Sequence, residues 1–418
     1  MPIQKIYLSL VKNRSVIVNF ANLSFLQAAN VLAQILLIPI IAHKAGLIEF
    51  GQIAVAGSYA AMVSILINYG SNQSGVKDVA LHRTAPTALS QTFFSIYYTR
   101  GLLLVFSFLL LIGIYFLSPG HYRHFLSANT IILSEMLSPF FFFVGMQQLF
   151  LYNLTNLIAK IISALLIIFL ITSSKEGIWV NFLIGIPGVL ANIFLIFYII
   201  RKYRLFHFSV STAELIRYLK TNFYLTGNNA CVQLQQSYFL FIVSGMGDGI
   251  VLAAYSLIDK IIWSFRMLII SFFNTIYPRA AVQYQQSPGA WQQMKRKLSY
   301  LISIVFLTIA LVIFCFPDTI IRIIAPESNT LAAVYLQYVA LVPFIAALNS
   351  LNVADLLIRH QYKYIFIIAV LLLMMAVIFA QILLSLHNPG LFGLYLLLIE
   401  CSSIPLYLYF IRKSNRLY

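Results

Sequence analysis

Residues 295–316 read KRKLSYLISIVFLTIALVIFCF: three cations, then nineteen residues without a charge. An α-helix needs about 20 mostly apolar residues to cross a hydrocarbon core roughly 30 Å thick. Cations just ahead of such a run belong among the headgroups. Outward from this segment the pattern repeats to both ends of the chain, giving spans at 16–41, 47–69, 89–117, 126–150, 153–172, 177–200, 223–247, 250–276, 298–316, 331–354, 365–386 and 391–411. The composition is 61% hydrophobic and 9% charged, with mean hydropathy +0.90, so little remains for a soluble domain. In lipid each span must satisfy its own backbone, which makes it a helix; a barrel would show alternating segments of about ten residues. The chain reads as an all-α integral membrane protein.

The basic residues orient it. With both termini on the cytoplasmic side, 20 Lys and Arg lie on that face, and only Lys44, Arg123, Lys175 and Arg322 on the other. Arg100 is counted with the cytoplasmic set, near the start of the third span. The positive-inside rule selects this topology. The stretch from Met1 to Arg14 is short and basic and runs into a full-length span, so the first helix is expected to be retained. The net charge of +16 follows from the cytoplasmic excess. No lysine-rich arm or aromatic-interleaved basic patch points to nucleic acid. Cys231, Cys315 and Cys401 are far apart within spans and read as small buried apolar residues, and the seven histidines offer no metal spacing.

The long basic connection near 201–222 divides the spans six and six, suggesting lobes at 1–210 and 211–418. A short amphipathic piece, Thr212 to Lys220, is expected to lie along the inner interface. The halves repeat a device. Gln27, Asn30 and Gln34 stand at i, i+3 and i+7 in the first span; Asn229, Gln233 and Gln236 stand at i, i+4 and i+7 in the seventh. Such duplication in transporters places the substrate site between the halves, although amides also serve to join neighbouring helices.

Charges within the spans cost about 2.5–3.5 kcal/mol each on insertion scales. Lys160 shares a stripe with Asn153, Asn156 and Ser163. Asp259 and Arg266 are seven apart on one helical face, with Lys260 about 100° away. Glu135 and Glu400 lie in the fourth and twelfth spans, and Asp355 stands one turn before Arg359 as a mutually neutralising pair. Lys160 and Lys260, one in each half, together with Arg266, suit a phosphate-bearing cargo.

Several segments resemble the bacterial O-antigen and related polysaccharide flippases of the multidrug, oligosaccharidyl-lipid and polysaccharide exporter superfamily. The opening reads NFANLSFLQAANVLAQILLIPIIAHKAGLIEFGQIAVAGS (19–58) and INYGSNQSGVKDVALHR (67–83). Asn72 to Ala80 resembles the family's loop after the second span, with Lys77 where Arg is usual. SPFFFFVGMQQ (138–148) is similar to its Pro-aromatic-Gly stretch, and Lys160 falls on its fifth-span lysine. AYSLIDKIIWSFRMLIISFFNTIYPRAA (254–281) is the most specific match, though Trp263 stands where relatives often carry Arg. Glu400 falls on an acidic position of the last span.

The resemblance implies twelve helices in two pseudo-symmetric six-helix lobes around a central cavity. It implies translocation of an undecaprenyl-diphosphate-linked oligosaccharide from the cytoplasmic to the periplasmic leaflet of the bacterial inner membrane, beside polysaccharide polymerase machinery. The expected substrate ligands are Lys160, Lys260, Arg266, Gln27, Asn30, Gln34, Asn156, Asn229, Gln233 and Gln236. Asp259, Glu135 and Glu400 are the expected H+ or Na+ sites, with no cofactor, and Lys77, Asp78 and Arg279 form the expected cytoplasmic gate. The rivals are a cation-coupled multidrug antiporter of the same superfamily, whose cavity would favour acids over lysines, and a membrane polymerase or transferase. No nucleophile elbow, phosphate-binding Gly loop or metal motif supports the enzyme.

Overall fold

The computed structural model describes residues 26, 28–117, 120, 122–206, 211–325, 329–359 and 361–415, with side chains at all of these except 271, 274, 275, 277–279, 281, 282, 285, 286, 288 and 415. Gln27 lies outside the described residues, as does the side chain of Arg279.

The first half comprises α1 (Ala28–Ala45), α2 (Leu47–Asn68), α3 (Ser71–Leu81), α4 (Pro86–Leu117), α5 (Tyr122–Leu137), α6 (Phe140–Gly145), α7 (Leu149–Leu170) and α8 (Val180–Tyr203). The second comprises α9 (Thr212–Gly245), α10 (Gly249–Gln286), α11 (Pro288–Cys315), α12 (Pro317–Ile324), α13 (Thr330–Tyr338), α14 (Val342–Ile358), α15 (Tyr362–Ser385) and α16 (Leu394–Asn415). Among the described residues ten helices are long and apolar enough to cross a membrane. The other two full-length helices, α9 and α10, are the longest at 34 and 38 residues and lie outside that set of ten. They carry Gln233, Gln236, Asp259, Lys260 and Arg266. A helix this polar in a bilayer needs water or protein on its polar face.

The two-lobe repeat is visible in local breaks. The fourth span of each half is interrupted beside a proline: α5 stops before Pro139 and α6, and α13 stops before Pro343 in α14. The sixth span of each half follows a 3₁₀ turn, Ser174–Trp179 or Pro389–Leu391, and holds an internal proline, Pro187 or Pro405. Packing repeats as well. Second meets fourth (α2 with α5, α10 with α13 and α14), and fourth meets sixth (α5 with α8, α14 with α16). Fifth meets sixth (α7 with α8, α15 with α16). Between the halves α2 packs against α9 and α10, and α4 touches α9. The largest apolar cluster joins both halves where α1 ends and α2 and α10 begin, with Ala45, Phe50, Val243, Leu252 and Tyr255 in its core.

Several expectations are corrected. Thr212 to Lys220 is no separate interfacial piece but the first turns of α9: Ser211 and Glu214 form a capping box, and no Gly or Pro interrupts the helix before Gly227. The stretch after the second span is helix α3, not a loop. It is set off from α2 by left-handed Tyr69 (φ 40°) and Gly70 (φ 71°), which end one helix and start the next. Helix α10 runs through Pro278–Arg279 to Gln286. Cys315 and Cys401 are exposed on the bundle's outer surface and Cys231 is half-buried, because small apolar side chains suit lipid as well as a core.

Arg100 is the largest departure. It sits mid-way along α4 and is 1% exposed, far from a headgroup position. Its guanidinium donates to Ser71 Oγ (2.7 Å), Asn72 Oδ1 (3.3 Å), Ser138 O (2.7 Å) and Met136 O (3.2 Å), and lies 5.2 Å from the centre of the Phe141 ring. Those acceptors belong to the broken ends of α2–α3 and α5–α6. A helix broken inside a membrane exposes carbonyls that lipid cannot satisfy. Arg100 supplies the missing donors.

Candidate functional site

A cavity of about 450 Å³ lies between the halves. Helices α1, α2, α5 and α8 wall it on one side, and α9, α10 and Leu396 of α16 on the other. Room is made by α2, whose Ala54, Gly57, Ser58, Ala61 and Ser64 recur every three or four residues along the lining. Small side chains on one helical face keep the opposing helices apart from nothing bulkier than a methyl or hydroxyl.

Of the predicted ligands, Gln34, Gln233, Gln236, Lys260 and Arg266 line this space, as do Asp259 and Glu135 from the predicted ion sites. Lys260 does not point apart from its neighbour. Its flexible stem brings Nζ to Asp259 Oδ2 (3.2 Å) and to Ser58 Oγ on α2 (3.0 Å), a link across the two halves. Arg266 Nη2 donates to Glu400 Oε1 at 2.6 Å, which makes Glu400 the partner of a cavity cation rather than a lining residue. Glu135 faces the cavity and accepts from Asn68 Nδ2 at 3.4 Å. Gln233 Nε2 donates to Ser237 Oγ on its own helix.

Lys160 stands one layer back. Its ammonium donates to Asn30 O (3.0 Å) and Gln34 Oε1 (3.1 Å), while Asn30 Nδ2 donates to Asn153 O (2.8 Å). These bonds tie α7 to α1 and fix the carbonyl end of Gln34. Asn156 bonds the Tyr152 carbonyl of its own helix, and Asn229 is half-buried outside the lining. Of the expected gate residues, Lys77 is exposed and Asp78 half-buried on α3, away from the cavity wall.

The described lining thus carries two cations, Lys260 and Arg266, and two carboxylates, Asp259 and Glu135. Acids stand beside the cations expected for a phosphate-bearing cargo: the wall is amphoteric, with apolar Leu37, Ile53, Ile184 and Trp263 between the ions. Such a surface can accept an anion, a cation or a hydroxyl-rich group, and can exchange protons. Sequence reading missed Ser58 and Asn68, and noted Trp263 only as a departure from the resemblance. The spacing of small residues in AVAGSYAAMVS (54–64) was the available signal for Ser58.

No protein-family model matches the sequence, and no curated protein matches it. Solved structures share the fold. The chain is similar to the inward-facing conformation of a multidrug resistance MATE family transporter of the MOP superfamily, with TM-score 0.71 at 12% identity over 94% of this chain and 95% of that one. The outward-facing conformation of a transporter with the same description gives 0.59 at 14% identity, over 95% and 96%. The inward closed conformation of the lipid II flippase MurJ gives 0.60 at 14% identity, over 95% of this chain and 87% of that one. The likeness is one of fold, and with ten helices long and apolar enough to cross a membrane among its described residues the chain is built as a multi-pass membrane protein.

Proposed function

We propose that this protein flips a polyprenyl-diphosphate-linked oligosaccharide across the bacterial inner membrane, with both termini cytoplasmic, and that it is not an enzyme. The observation that carries this reading is the presence of Lys260 and Arg266 in the cavity between the halves, beside the amides of Gln34, Gln233 and Gln236. A sugar hydroxyl stripped of water loses several kcal/mol in a medium that cannot hydrogen-bond. The glutamines replace those partners, the two cations meet the diphosphate, and the lipid tail stays in the bilayer. Halves bounded near 1–210 and 211–418 rock about the α2–α10 contact, exposing the cavity to each leaflet in turn. Asp259, Glu135 and Glu400 are the proposed sites through which H+ or Na+ drives the cycle. Lys77, Asp78 and Arg279 mark the cytoplasmic rim.

A second reading, a cation-coupled drug antiporter, draws support from Asp259 and Glu135, which also line the cavity. Proteoliposomes separate the two. The purified chain is reconstituted with labelled lipid-linked oligosaccharide, whose accessibility to an impermeant glycosidase is followed, and in parallel with a fluorescent organic cation. Protein-dependent exposure of the oligosaccharide, without cation transport, is expected. Transport of the cation alone would replace this reading with the antiporter.

A further inference from the structure

A second cavity, of about 410 Å³, lies away from the first among α11, α14 and α16. Its wall carries Lys295, Arg296 and Arg359 against one carboxylate, Asp355, with the hydroxyls of Ser299 and Ser303 along the same face of α11. Asp355 is almost fully buried and accepts hydrogen bonds from three residues. Trp291 Nε1 reaches it at 2.9 Å and Lys295 Nζ at 3.3 Å, both from α11; Arg359 Nε reaches it at 3.0 Å from one turn along α14. One carboxylate holds two cations side by side and neutralises only one charge of the two, and Arg296 lies over the Tyr300 ring at 5.9 Å, adding a third cation. The described wall therefore carries two more positive than negative charges.

Position decides what such a wall meets. Residues 292–303 span the switch from QQMKRK to the apolar run that follows, which is the depth of phospholipid headgroups. Just beyond, Leu301 and Ile304 are 55% and 67% exposed on the outer face of α11, and Ile411 of α16 joins the wall. A phosphate seated between Lys295 and Arg296 would leave its acyl chains against this apolar surface. Basic pockets between membrane helices at this depth suit anionic headgroups. We propose that the α11–α14–α16 cavity is a binding site for the phosphate headgroup of an anionic phospholipid. It is independent of whatever the central cavity carries.

Thermal unfolding of the full chain in neutral detergent tests this, with phosphatidylglycerol, phosphatidylcholine or inorganic phosphate added. Phosphatidylglycerol is expected to raise the midpoint by several degrees and the other two to leave it unchanged. Arg296→Gln, at an exposed position that does not touch Asp355, should cut that shift at least by half. Ser303→Leu, which fills the cavity and leaves every charge in place, should do the same, whereas Lys202→Gln on a distant helix should preserve it. An equal shift with phosphatidylcholine, or with inorganic phosphate, overturns the proposal. So does a full shift in both Arg296→Gln and Ser303→Leu.

Discussion

Lys160 and Lys260 read alike in sequence, one cation within a span of each half, but do different things in space. Lys260 faces the cavity and is held by Asp259 and by Ser58 of the opposite half; Lys160 spends its hydrogen bonds on Asn30 and Gln34. A cargo ligand and an anchor respond differently to loss of charge. Lys260→Met removes a cavity cation, so we expect transport in proteoliposomes to fall to background even in the fraction that remains folded. Lys160→Met removes two bonds between α1 and α7, each contributing about 1.5–3 kcal/mol when a charged group takes part. It should lower the midpoint by several degrees while measurable transport persists. The reverse pattern would exchange their roles. Arg266 and Glu400 are a different case: at 2.6 Å and largely buried, each exists in the membrane because the other neutralises it.

At the scale of the helix, the breaks carry the information. The break at Pro139 falls in SPFFFFVGMQQ, a stretch the sequence singles out, but the residue that serves its open carbonyls is not legible there. Arg100 looked like one more basic residue flanking a span, because sequence shows which residues are basic and not which carbonyls a distant break leaves open. Its partners at 71, 72, 136 and 138 are brought together only by the packing of α3, α4 and α6. Arg100→Leu would bury the carbonyls of Met136 and Ser138 without these donors, at about 1–3 kcal/mol each. We expect a midpoint lowered by ten degrees or more and a reduced yield of folded protein. Arg100→Lys should rescue only part of this, since a single ammonium cannot span both breaks as the planar fork does. Full stability in Arg100→Leu would mean that water or backbone adjustment already serves those carbonyls. The amide stripes, by contrast, were legible from spacing alone. Gln34, Gln233 and Gln236 reach the cavity, but Asn30 turns to Asn153 on α7, Asn156 bonds its own helix and Asn229 lies outside the lining, because a three-to-four spacing fixes a face and not which neighbour packs against it.

For the whole molecule the question is which end of the cavity is shut. The apolar cluster around Phe50, Val243, Leu252 and Tyr255 joins the halves at the start of α2 and α10. The cavity runs from that seal toward Asn68 and Glu135, in the direction of the basic helix ends. Ser58 sits at the crossing, bonded to Lys260 of the other half, and so reports on both faces. With Cys231, Cys315 and Cys401 replaced by serine, Ser58→Cys should react with an impermeant thiol reagent from the basic side. An imposed proton or sodium gradient, or a saturating cargo, should move part of that reactivity to the opposite side as the seal opens. Rocking lobes require such an exchange. Reactivity confined to one side under every gradient and cargo condition would leave the cavity a fixed pocket, and the alternating mechanism would have to be abandoned.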